Sequence, residues 1–293
     1  MKIGISTTVT ARSADLAEVA RLVESLGYDS LWIPEHPVIP LHRSIPFPAS
    51  RDGQMPEHYM QWADPFIALT VAATVTKTIK LGTGVCLLPE RDPLITAKVV
   101  ASLDVYSKGR VILGVGAGWL KEETEVMGTP FSQRWKRLRE TVEAMRVLWT
   151  QTAASYDGEL VRFPAVRCEP KPVQQPGPPI LLGGLGPKVL ARVARSYDGW
   201  YPFVLGPDVF EKDMATLRTL TREAGRNPDT LQVTAIVDPR DGTLSVDELK
   251  RYQDAGASRV VVYSQHTRRE DADGKGLEVV KRSTPIVERA QHI

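Results

Sequence analysis

Residues 79–116 open with Ile79-Lys80-Leu81-Gly82-Thr83-Gly84-Val85-Cys86, pass through Arg91-Asp92-Pro93, and close with Val111-Ile112-Leu113-Gly114-Val115-Gly116. Ile79–Cys86 has the apolar, β-branched composition of a strand, and so does Val111–Gly116. Between them, Asp92 supplies an acceptor side chain at a helix N-cap. Pro93 follows at the first helical position, where its missing N–H costs nothing. Strand, helix and strand at this spacing form the repeating unit of a parallel α/β sheet.

The same alternation runs outward in both directions. Towards the N-terminus, Lys2–Thr7 reads as a strand. Asp15–Leu26 reads as a helix with Leu16, Val19, Ala20, Val23 and Leu26 on one face, stopped by Gly27. Ser30–Glu35 is a second strand, and a second helix starts at Asp64-Pro65. Towards the C-terminus, Trp135, Leu138, Val142, Met145 and Trp149 form the packing stripe of an amphipathic helix. Strands follow at Pro179–Gly184, Gly199–Phe203, Leu231–Asp238 and Arg259–Ser264. Helices follow at Lys188–Ser196, Asp208–Ala224, Val246–Ala255 and after Gly276.

Eight strands alternating with helices over 293 residues predict one α/β domain spanning 1–293, a single (β/α)8 TIM barrel. A doubly wound open sheet is the alternative, because alternation does not by itself show closure. Two insertions interrupt the pattern. Pro37–Gln61 follows strand two. Thr150–Gly177 precedes strand five and holds the hairpin-like turn Tyr156-Asp157-Gly158-Glu159. Such long loops serve as binding walls or lids; for the second, a surface or dimer-contact excursion is an equal reading.

Composition narrows the function. The chain is 42% hydrophobic and 25% charged, with a net charge of +2 and no basic block to track a phosphate backbone, so nucleic acid is not an expected partner. Cys86 and Cys168 lie far apart, which supports neither a disulfide framework nor a zinc site and fits a reducing cytoplasm. Neither a signal-peptide layout nor a membrane-length apolar run is present, so a cytoplasmic protein without a membrane partner is expected.

In a barrel, the loops at the C-terminal ends of the strands build the site, and four of those ends are unusual. Ile33-Pro34-Glu35-His36-Pro37 places a histidine able to exchange a proton near neutral pH; capping of local backbone is the plainer account. Gly82-Thr83-Gly84-Val85-Cys86 puts glycines inside a strand, as a bulge, a close approach to a ligand, or a packing kink. Gly114-Val115-Gly116-Ala117-Gly118-Trp119 resembles a phosphate loop only weakly, lacking the later acidic residue of a dinucleotide fold. Leu182-Gly183-Gly184-Leu185-Gly186-Pro187-Lys188 runs straight into a helix, whose bare N–H groups and dipole make an anion cradle. The plain alternative there is a tight connection. No HExxH, GxSxG or carboxylate-cluster pattern occurs, so no metal site is expected; His42, His58, His266 and His292 read as loop or surface residues.

Taken in order, these ends resemble the luciferase-like flavin and deazaflavin oxidoreductases over nearly the whole chain. The resemblance is carried by Ser30–Pro40, Leu81–Arg91, Gly109–Glu123 and Asp198–Pro202, and the run Glu35-His36-Pro37-Val38-Ile39-Pro40 is similar to the subgroup that uses coenzyme F420, a 5-deazaflavin. The resemblance implies a non-proline cis peptide at Gly84–Val85 behind the cofactor ring, with His36 and Glu35 beside that ring. It also implies a phosphate held by Gly183, Gly184, Leu185 and Gly186, and a pocket wall from Gly116, Ala117, Gly118 and Trp119.

It further implies a homodimer and hydride transfer between F420 and a small organic substrate, with His36 as the catalytic proton donor or ring-tuning group. An FMN-dependent monooxygenase is the alternative within the family, and a non-catalytic flavin-binding barrel the alternative outside it. Where a sugar-phosphate dehydrogenase branch of the family has a glutamate after the glycine equivalent to Gly118, this chain has Trp119, which points instead to an apolar or planar substrate.

Overall fold

A computed structural model describes residues 1–47, 52–204, 206–239, 243–263 and 265–293; the side chains of 265–267, among them His266, lie outside the described residues. Eight parallel strands form the barrel: β1 Lys2–Ser6, β2 Ser30–Ile33, β3 Lys80–Thr83, β4 Val111–Gly116, β5 Ile180–Gly183, β6 Gly199–Tyr201, β7 Gln232–Val237 and β8 Arg259–Val262. Each pairs with the next, and β1 pairs with β8 through Lys2–Arg259 to Ile5–Val262. That last ladder closes the sheet and excludes the open doubly wound alternative.

The helices begin where their caps dictate. Asp15 Oδ1 accepts from Ala17 N at 2.7 Å, Asp64 Oδ1 from Phe66 N at 2.8 Å, and Asp92 Oδ1 from Ile95 N at 2.8 Å. Two short helices, Lys121–Val126 and Gln265–Ala272, add to the expected set. Among the described residues no helix is long and apolar enough to cross a membrane.

Alternate residues of each strand face either the helix layer or the lumen. The outward faces form the main core with the helices. Inside, Trp32, Ile112, Leu181, Tyr201 and Val261 fill the lumen, with Trp32 and Tyr201 stacked at 4.7 Å between ring centres. Gly82 is glycine for this reason: a Cβ there would lie 2.2 Å from the Trp32 ring. Of the readings open for that glycine, packing is the one realised.

Two strands are interrupted within their sequence pattern. The apolar run Ile79–Cys86 breaks at Gly84–Val85, which is cis, and pairing with β4 resumes at Cys86–Leu87. Likewise β6 stops at Tyr201 because Pro202 has no N–H to donate, and Phe203–Val204 then pairs with β7.

The insertions take different places. In the first, Phe47, Met55 and Tyr59 pack on Leu120, with Trp62 and Trp119 against them, walling the mouth of the barrel. The second folds into an antiparallel hairpin, Ala154–Asp157 with Arg162–Val166, around the expected turn. Glu140 holds that turn by accepting from Leu160 N and Val161 N, and the proline-rich return packs beside Gly109 through Gln174, which donates to Asp104 and Val111 O. It therefore lies on the outer layer and at the N-terminal side of the barrel, as a surface excursion rather than a lid.

Candidate functional site

The C-terminal mouth collects the residues singled out in the sequence. Strand parity separates two neighbours there. His36 continues the lumen-facing series of Trp32, whereas Glu35 turns towards the helices. Glu35 Oε2 accepts from Leu87 N at 2.7 Å, and its Oε1 accepts from Arg91, which also holds Asp64. Glu35 thus pins the continuation of β3 and Arg91 from behind the mouth, with both oxygens occupied.

His36 is nearly enclosed. Its ring centre lies 5.3 Å from Trp62, 6.0 Å from Tyr59 and 6.2 Å from Trp119. Nδ1 lies 2.7 Å from Glu123 Oε2, and Nε2 makes no hydrogen bond among the described residues. Burial, reinforced by the positive charge of Arg268 and opposed by Glu35, pushes the His36 pKa down to about 4. Burial, opposed by a backbone hydrogen bond from Val38 and aided by Glu35, pushes Glu123 up to about 8. Although the contact has the geometry of an ion pair, both shifts favour neutral partners, with the proton on the carboxyl. Glu90 is also raised to about 8, by burial and by Glu123.

Val85 occupies the centre of the mouth. A Cβ on Gly116 would approach Val85 Cγ2 to 2.6 Å, and one on Gly183 would approach Val85 Cγ1 to 2.9 Å. These glycines make room for Val85. Gly84 faces the Tyr201 hydroxyl, which a Cβ would meet at 2.4 Å. Ala117 buries its side chain in the outer core, and Gly118 takes a φ of 78°, letting the chain turn beside Glu90.

On the far side, Gly184 and Gly186 adopt φ of 114° and 90°, conformations closed to most residues. Trp200 Nε1 donates to Gly184 O at 2.9 Å and fixes the loop. The helix Pro187–Ser196 starts without a side-chain cap, and among the described residues neither Leu185 nor Gly186 donates a backbone hydrogen bond. Free N–H groups at a helix N-terminus suit an anion. Lys188 stands exposed next to them.

Several participants carried no signal in the sequence. Arg268 is buried, with its guanidinium 4.2 Å from the Tyr263 ring centre and 4.8 Å from that of Trp62. His58, read as a loop or surface residue, lies within the first insertion but is only 6% exposed, packed next to Tyr59; His42 and His292 are exposed. Ser6 Oγ, Trp62 Nε1 and Arg268 Nε are buried with no hydrogen-bond partner. A planar group with a polar edge and an anionic tail fits these orphaned atoms and the glycine cradle opposite.

Comparison with known proteins places the geometry in context. The profile of the luciferase-like monooxygenases matches residues 1–240. An uncharacterized protein of Mycobacterium tuberculosis is 38% identical over 263 residues, covering 89% of this chain and 91% of the relative. The 5,10-methylenetetrahydromethanopterin reductase of Archaeoglobus fulgidus is 30% identical over 262 residues, covering 89% of this chain and 69% of the reductase. Among solved structures, the coenzyme F420 dependent tetrahydromethanopterin reductase from Methanopyrus kandleri superposes with a TM-score of 0.71 at 20% identity, covering 96% of this chain and 97% of that one. A type II Baeyer-Villiger monooxygenase of Pseudomonas putida in complex with FMN superposes with a TM-score of 0.63 at 19% identity, covering 81% and 66%. At these identities the two structures share the fold.

Proposed function

We propose, from the premise that this chain belongs to the luciferase-like monooxygenase family, that it is an F420-dependent oxidoreductase acting on a small apolar or planar organic substrate. The observation that carries this reading is His36, turned into the mouth with Nε2 unengaged and a wall of Trp62, Tyr59 and Trp119 around it. Support also comes from the A. fulgidus relative, a reductase by name, and from the M. kandleri neighbour, which is F420 dependent by name.

A reduced deazaflavin supplies a hydride when bound. Gly84, Val85 and the Gly116–Gly118 turn would bear on its ring, and Gly183, Gly184, Leu185 and Gly186 would hold its phosphate. The aromatic wall orients the substrate and keeps water out. His36 Nε2–H then gives a proton to the substrate atom that gains negative charge. Glu35 acts at one remove by fixing Leu87 and Arg91.

Titration of the purified protein with F420 and with FMN, read by fluorescence, tests the cofactor. Submicromolar F420 binding without oxygen consumption is the expected result. Tight binding of FMN alone, with oxygen uptake during turnover, would make the protein an FMN monooxygenase, because a deazaflavin lacks the ring nitrogen used in oxygen activation.

A homodimer is part of the proposal. The helices Pro65–Val75 and Pro93–Ser107 pack side by side and leave Ile67 69%, Ile95 64% and Tyr106 75% exposed, with Val71 exposed one turn on from Ile67. The outer face of the first of these helices presents Ile67 and Val71 between Thr70 and Thr74, an exposed apolar strip that a second copy would cover.

A further inference from the structure

Behind His36 stands a carboxyl that the proposed chemistry leaves without a task. Glu123 is fully buried on the helix Lys121–Val126, where its Oε2 meets His36 Nδ1. Nothing else hydrogen-bonds His36 among the described residues, so Glu123 alone decides which ring nitrogen carries the proton. A histidine whose Nδ1 accepts from a carboxyl keeps its proton on Nε2, the nitrogen free to face a substrate.

We propose that Glu123 is the proton reserve of His36: as Nε2–H is delivered to the substrate, Glu123 Oε2–H refills Nδ1 across the 2.7 Å contact. The inference rests on the reading of His36 as proton donor. The step balances. The electron pair of the Nε2–H bond stays on Nε2, the imidazole ends neutral with its tautomer exchanged, and Glu123 ends as a carboxylate. After product leaves, Nε2 takes one proton from water and Nδ1 returns its proton to Glu123. Each cycle moves one proton from water to product, and the buried imidazole never carries a full charge.

The surroundings favour this direction. The charged and titratable groups facing the pair are Tyr59 in the aromatic wall, Arg268 over that wall, Glu35 with its partner Arg91, and Glu90, whose Oε1 accepts from Thr124 Oγ1 at 3.0 Å. Burial holds the imidazole neutral and the carboxyl protonated between about pH 4 and 8.

Nitrogen-15 spectra of histidine-labelled protein, with His36 assigned by comparison with His36→Asn, read the tautomer without any cofactor. At pH 6 the expected species is neutral, protonated on Nε2, with Nδ1 as acceptor; an imidazolium, or a proton on Nδ1, overturns the proposal. Kinetics supply the second arm. Glu123→Gln can still donate to Nδ1 but cannot release a proton. It should keep F420 affinity and KM while kcat falls about 10- to 100-fold and the loss of rate near pH 8 disappears. Wild-type kcat with a wild-type pH profile in Glu123→Gln overturns the relay. If F420 fails to bind wild-type protein while the tautomer is as expected, the cofactor reading falls and the His36–Glu123 pair stands.

Discussion

Neighbouring residues divide the work of the mouth by strand parity. His36 faces inward and Glu35 outward, and the two have opposite requirements. His36→Asn, which keeps a polar side chain of similar reach, should lower turnover about 100-fold while F420 affinity changes little, as steady-state kinetics and fluorescence titration can measure. Equal turnover would remove His36 from the chemistry. Glu35→Ala leaves Leu87 N–H and the Arg91 guanidinium without their buried acceptor, and a loss of about 3 kcal/mol in chemical denaturation is expected. Glu90 offers a pH test. Its folded pKa of about 8 lies above the unfolded value, so its stabilising proton is fully present below about pH 4.5 and is lost as pH rises through 8. Glu90→Gln should therefore raise the melting temperature by a few degrees at pH 8 and hardly change it at pH 4.5. A variant less stable than wild type at pH 8 would contradict that sign.

At the scale of elements, the chain announces its barrel plainly, because strand and helix periods, N-cap aspartates and stop glycines are local signals. The motifs at the strand ends were equally legible, but their side chains were only half so. Glu35 and His36 sit in one run whose parity depends on where β2 begins to pair, and Glu35 is drawn outward by Arg91, which lies 56 positions away. Glu123, Glu90, Arg268 and His58 were silent because their burial comes from loops that fold over the mouth, and nothing periodic marks such loops. The glycines at 116 and 183 looked like ligand approaches, yet each yields to Val85. Gly183→Ala should push Val85 into the mouth, costing about 1–3 kcal/mol of stability and weakening cofactor binding several-fold in titration. Unchanged affinity would show that Val85 has room to move elsewhere.

For the whole molecule, the proposed homodimer is tested at the exposed Ile67 and Ile95 on two adjacent helices. Ile67→Lys with Ile95→Lys should convert a dimer to a monomer in light scattering, with little change in the circular dichroism of the fold. A wild-type monomer would dismiss the proposed contact. The lumen has a different consequence. With Trp32 and Tyr201 stacked across it, the barrel is a blind cup with a solid floor. Whatever lies deepest must enter first, and whatever rests on it must depart first. Turnover should then follow an ordered sequence, the carrier loading before the substrate, with excess substrate trapping the wrong occupant only when it reaches the empty cup ahead of the carrier.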